Sequence, residues 1–182
     1  MLQCSLLSLG CVFGFVPQQQ APPLTALRAL KIAQRRLRPE VRSRLLSVTS
    51  SKTHTLVPEA WRFVFFDPGT SDKSRAVTVA ARTSSEHPDT VEAFSDIKFE
   101  PAAGHQVVPQ NRWMIDSDLA LEKVREHVKL RRVRTAQYRL GRPRSVGEPV
   151  WLIEFSDEQG ATIGSFRIDA RSGELSRLAV AA

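Results

Sequence analysis

The sequence predicts an α+β fold made of two duplicated units, each packing one helix on a small antiparallel sheet in the order α-β-β-β. The first observation is a strand, Val150-Trp151-Leu152-Ile153-Glu154-Phe155-Ser156-Asp157, whose apolar and polar residues alternate as a strand with one buried face requires. Ala60-Trp61-Arg62-Phe63-Val64-Phe65-Phe66-Asp67 repeats it 90 residues upstream, with the Trp, both following inward positions and the closing Asp in place. After that Asp the upstream copy has one extra loop residue; Val77 and Val79 then fall on Phe166 and Ile168. The second observation lies before the strands. Thr25 stands 36 residues ahead of Trp61 and Asp116 stands 35 ahead of Trp151, and each is a good helix N-cap. Behind the caps, Ala29, Ala33 and Leu37 match Ala120, Val124 and Val128, spaced so that each set shares one helical face. A period near 90 suits a duplicated small domain better than a solenoid.

Residues 1–23 form a leader. Leu6 to Val16 is a weakly apolar run, no charged residue precedes Arg28, and Pro17-Gln18-Gln19-Gln20-Ala21-Pro22-Pro23 follows. The run is too short to span a bilayer and has the length of a signal-peptide core. The expectation is export with processing near Ala21, although no Lys or Arg follows Met1 and Gln19 is a poor residue at minus three. The alternative is a disordered cytoplasmic tail.

The first unit occupies 24–83. Its helix is predicted from Thr25 to about Leu37, ended by Pro39. Strands follow at Leu45–Thr49, Trp61–Phe66 and Arg75–Ala81, the last two joined through Asp67-Pro68-Gly69, a strong turn signal. Residues 84–112 form a connector with an edge strand around Val91 to Phe99. The second unit, 113–182, has a helix at Asp118–Val128, strands at Thr135–Leu140 and from Val150, a hairpin return from Ser165, and a short edge strand at Leu175–Leu178. Gly173 takes positive φ in the tight connection before that edge.

Three segments of the second unit carry a family resemblance. They are Ile115-Asp116-Ser117-Asp118-Leu119-Ala120-Leu121, Gly147-Glu148-Pro149-Val150-Trp151-Leu152-Ile153, and Ile168-Asp169-Ala170-Arg171-Ser172-Gly173-Glu174-Leu175. Together they resemble the PepSY or PepSY-like domain, a small helix-on-sheet module. The resemblance covers 113–178 well and 24–82 more weakly, where Ser84 replaces the Gly. It implies a non-catalytic module of exported or membrane-attached bacterial proteins that binds or inhibits a partner, often a peptidase.

The residues themselves offer little chemistry. Cys4 and Cys11 both precede residue 12, so the rest of the chain has neither a disulfide framework nor a thiolate metal site. His54, His87, His105 and His127 are scattered singly, without zinc-site spacing, and Asp116 and Asp118 lack the glycine and distal Glu of a calcium loop. There is no nucleophile elbow, phosphate loop or dinucleotide fingerprint. The expectation is a protein that is not an enzyme and takes no cofactor or metal.

Charge says more. The formal net charge is +7, divided as 13 basic and 9 acidic residues over 22–110 and 13 and 10 over 111–182. In both units it gathers at the end of the helix and the strand after it: Arg35, Arg36, Arg38, Arg42 and Arg44, then Lys129, Arg131, Arg132, Arg134, Arg139, Arg142 and Arg144. Part of this matches helix C-termini. The functional reading is contact with an anionic partner, because arginine forks grip carboxylate or phosphate in pairs of bonds. The expected partner is a protein or an anionic envelope surface, with a periplasmic or secreted location and no transmembrane span in the mature chain. A basic cytoplasmic nucleic-acid-binding protein is the alternative. It is disfavoured because the aromatic residues alternate on strands as core does, rather than interleaving with arginines as stacking platforms.

Overall fold

Thr25 and Asp116 do cap helices. Thr25 Oγ1 accepts from the Arg28 amide at the start of α1 (Ala26–Arg35), and Asp116 accepts from the Ser117 amide at the start of α2 (Ser117–Arg125). The computed structural model describes residues 23–54, 56–82, 90–96, 106–128, 130–143 and 147–178. A one-turn helix at Pro39–Arg42 follows α1, so Pro39 begins a helix rather than merely ending one. Its fixed φ and missing amide suit a first helical turn. The second helix stops at Arg125, short of the expected Val128, because its last turn tightens: the Glu126 and His127 amides both return to the Val124 carbonyl. Val128 is still partly buried against the core.

The strands are β1 (Leu45–Ser50), β2 (Ala60–Phe66), β3 (Ser74–Arg82), β4 (Thr90–Asp96), β5 (Thr135–Gly141), β6 (Val150–Ser156), β7 (Thr162–Asp169) and β8 (Leu175–Leu178). They form one eight-stranded sheet in the order β4-β3-β2-β1-β5-β6-β7-β8, antiparallel at every step. Each helix is thus followed by a four-stranded meander, and the two meanders meet at β1 and β5. β4 lies within the stretch expected as a connector and extends the sheet beside β3. The leader, Lys129 and Arg144 lie outside the described residues.

Alternation along the strands separates two faces. Trp61, Phe63, Phe65, Val77 and Val79 on one side of the seam and Trp151, Ile153, Phe155, Phe166 and Ile168 on the other are all buried. They pack beneath Ala26, Ala29, Leu30 and Ala33 of α1 and Ala120 and Val124 of α2. The small helix residues let each helix lie close to the sheet, and the bulk of the core comes from the aromatic strands. The opposite face is partly exposed along Thr49, Arg62, Val64, Thr78, Gln137 and Leu152.

Register matches on the two sides. Trp61 pairs with Val79 and Phe63 with Val77; Trp151 pairs with Ile168 and Ile153 with Phe166. The Trp61 indole donates to the Leu24 carbonyl at 2.7 Å, and the Trp151 indole to the Ile115 carbonyl at 2.8 Å. Leu24 and Ile115 are each the residue just before a helix cap.

Candidate functional surface

At the seam, Thr49 pairs with Arg139, which is 90 positions later, the same offset that separates Trp61 from Trp151. Ser47–Gly141 and Val48–Leu140 complete the ladder, and the Tyr138 amide continues it by donating to Ser50 Oγ at 2.9 Å. On the helix side, the two helix starts meet. The Ala26 amide donates to Ser117 Oγ and the Leu27 amide to Asp116 Oδ1, both at 3.0 Å. Asp116 therefore caps its own helix and supplies an acceptor to the other one. Beneath this contact Trp61 and Trp151 meet edge to face, their ring centroids 6.1 Å apart.

On the helix-free face, pairing aligns a single row across the sheet: Thr78, Arg62, Thr49, Arg139, Leu152, Arg167 and Ser176. Strands stand about 4.8 Å apart, so successive arginines of this row are spaced by roughly 10 Å. Arg139 is exposed, donates to Gln137 Oε1 at 3.1 Å and lies 3.8 Å from Glu154, a weak surface pair, while Arg62 and Arg167 are half-buried. The basic charge expected at the helix-to-strand elbows is thus accompanied by a second basic feature formed only by tertiary pairing. Neither Arg62 nor Arg167 stood out in the sequence, where they are isolated basic residues on outward strand positions.

The elbow arginines divide into two groups. Some are committed to the fold: Arg38 bonds Asp67 at 2.8 Å and also approaches Glu40, Arg42 Nε donates to the Leu37 carbonyl, and Arg142 Nε donates to the Gly147 carbonyl. Arg134 pairs with Glu158, and Arg44 lies over the Phe66 ring, 5.8 Å from its centroid. Arg35, Arg36, Arg131 and Arg132 are exposed. Beside the second elbow, Arg131, Arg132 and Arg134 border an open depression of about 370 Å³ whose far side is Asp157, Glu158 and Gln159. That mixed lining makes it a poor anion cradle. Arg142 follows the end of β5 that pairs with the start of β1, so the strand separates it from Arg131, Arg132 and Arg134, which precede β5.

Asp67 shows where buried charge goes. Its side chain is fully enclosed and receives Arg38, Arg75 and the Gly69 amide. Burial alone would raise its pKa; the Arg75 hydrogen bond, the Gly69 amide and the Arg38 charge outweigh that and hold it below the ordinary 3.8. Asp67 therefore clamps the β2–β3 turn, a structural role. Tyr138, which sits among arginines in the sequence, is buried, with its hydroxyl donating to the Leu56 carbonyl at 2.6 Å. Desolvation raises its pKa despite the nearby Arg125 charge, so it stays neutral and offers no stacking surface. Among the described residues, no three His, Cys, Asp or Glu side chains converge as metal ligands do, and no helix is long and apolar enough to cross a membrane.

The geometry defines an α+β protein on one broad antiparallel sheet, roofed by helices on one face and carrying the row of Arg62, Arg139 and Arg167 on the other. No family model matches the chain, and no curated protein or solved structure matches it.

Proposed function

We propose that this chain is two copies of a PepSY-like helix-on-sheet module fused about a pseudo-twofold axis, and that it acts outside the cytoplasm as a non-catalytic binding or regulatory protein. Duplication is supported by the pairing of Thr49 with Arg139, since a position paired with its own counterpart lies on the axis of an isologous contact. The equivalent tryptophan bonds and the matched hairpin registers support it independently. The observation that carries the binding role is the arginine row on the face no described helix covers. A protein partner presenting carboxylates, a peptidase among them, or an anionic envelope surface would meet guanidinium groups at regular spacing.

Nucleic acid remains the competing ligand because the net charge is +7. It is the weaker reading: Trp61, Phe63, Phe65, Trp151, Phe155 and Phe166 are all in the core, which leaves none of them as a base-stacking platform. The test is fractionation of the full-length product in a Gram-negative host, with intact mass of the recovered species. A chain shortened near residue 21 and found outside the cytoplasm is the expected result. Full-length protein confined to the cytosol, with nucleic-acid affinity that falls steeply with salt, would replace this reading with the other.

A further inference from the structure

One side of α2 is buried through Ser117, Ala120 and Val124, and another side borders a groove. That groove, of about 250 Å³, lies between α2 and the 56–58 loop and has Leu56, Pro58, Leu121 and Tyr138 in its lining. Val57 and Leu119 also line it and are 43% and 46% exposed, among the few large apolar side chains open to solvent. An apolar recess bordered by open apolar side chains marks an interaction site. Recess and projecting Leu119 belong to one surface, which suits an isologous contact between two copies, since each copy then supplies both halves of the fit.

The charges beside the groove decide what covers it. Asp118, Glu122 and Arg125 all border it, all are exposed, and none forms an ion pair with a described residue. Asp118 and Arg125 are seven residues apart, so they share one side of the helix and stand about 10 Å from each other along its axis. The acidic groups lie toward the N-terminal end of this stripe and the basic group at its C-terminal end. A uniformly basic partner is repelled by Arg125, and a uniformly acidic one by Asp118 and Glu122. A second α2 running antiparallel satisfies both ends, because it brings Arg125 of each copy beside Asp118 and Glu122 of the other. Lys123 and Glu126, also exposed, do not border the groove and stay on the flank.

We propose that this chain forms a twofold dimer through α2 and the groove beside it, with Arg125 of each copy between Asp118 and Glu122 of the other and each Leu119 against the other's groove. The two Glu122 side chains come together near the axis and oppose the contact, so the dimer is weak and forms with rising concentration. The helices roof one face of the sheet, so joining the copies by α2 leaves both helix-free faces, with Arg62, Arg139 and Arg167, turned outward. The proposal rests on neither the duplication nor the location of the protein.

The test is sedimentation equilibrium of the full-length chain at low salt, where exposed ion pairs are least screened, over a wide range of concentrations. The parent should approach twice the mass of one chain as concentration rises. Asp118→Arg and Arg125→Asp should each stay monomeric alone, because like charges then face each other across the axis. Mixed together, the two variants should pair with each other, because the reversed positions then face opposite charges. Recovery in the mixture also shows that both variants are folded. A parent that stays monomeric throughout, single variants that associate as well as the parent, or a mixture that fails to associate overturns the proposal.

Discussion

Replacing Asp116 by alanine removes an acceptor that serves both helices. Asp116 Oδ1 accepts from the Ser117 amide at 2.7 Å and from the Leu27 amide at 3.0 Å. Loss of an N-cap typically costs about 1 kcal/mol. The Leu27 amide is then left unpaired in a partly buried position, which costs about 1 kcal/mol more at the low end of the usual range, because water has some access. The expected total is about 2 kcal/mol, or roughly 4–8 °C in Tm for a chain of this size. The matching cap on the other helix should behave differently. Thr25 Oγ1 makes one long, exposed bond of 3.4 Å to the Arg28 amide, so Thr25→Ala should cost about 0.5 kcal/mol. Asp116→Asn keeps the acceptor oxygen and should recover most of the loss, which separates hydrogen bonding from charge. Urea denaturation of the three variants, read as midpoint shifts at constant slope, measures this. A cost for Asp116→Ala within about 0.5 kcal/mol of that for Thr25→Ala would refute the shared cap.

Three further outcomes follow from the same contacts. Trp61→Phe should destabilise more than Trp151→Phe by about 1 kcal/mol: the Ile115 carbonyl keeps a second donor, Trp113 Nε1 at 2.9 Å, whereas no second donor to the Leu24 carbonyl appears among the described residues. Gly173→Ala and Gly160→Ala should each lower the melting temperature, and by similar amounts. Both have φ near +75° to +79°, which strains any L side chain, and the Lys123 tip that a Cβ at Gly173 would meet at 2.6 Å can swing aside. Acidification should weaken the fold through Asp67 and Asp169, both of which are held below 3.8. At Asp169 burial raises the pKa and the Ser172 and Arg171 amides more than offset it. A depressed folded pKa means the unfolded chain binds the proton first, so this stability is complete above the unfolded value and is lost as pH falls through the folded one. Urea midpoints below pH 4 should fall less steeply in Asp67→Asn than in the parent.

The strands and caps were legible in the sequence because they rest on local physics. Period-two alternation around Trp61 and Trp151 can be satisfied in one way, with the aromatic side inward, and Thr25 and Asp116 precede helical spacing directly. The joining of β1 to β5 was not legible, since their pairing joins residues about 90 apart and nothing in Leu45–Ser50 names its neighbour. The arginine row was hidden for the same reason: along the chain Arg62, Arg139 and Arg167 belong to three different strands, and only register aligns them. The elbow arginines were visible as runs, but their separation into those bonded to Asp67, Leu37, Glu158 or Gly147 and those facing solvent depends on side-chain geometry.

The central structural claim is that the two meanders form one sheet through β1 and β5, and native-state amide hydrogen exchange tests it most directly. If the seam is integral, amides of the β1–β5 ladder, including Tyr138 on Ser50 Oγ, exchange only by global unfolding, with the same free energy as the β2–β3 and β6–β7 ladders. Exchange at the seam with a distinctly lower free energy than both flanking ladders would mean that the halves open as separate bodies, and would contradict it.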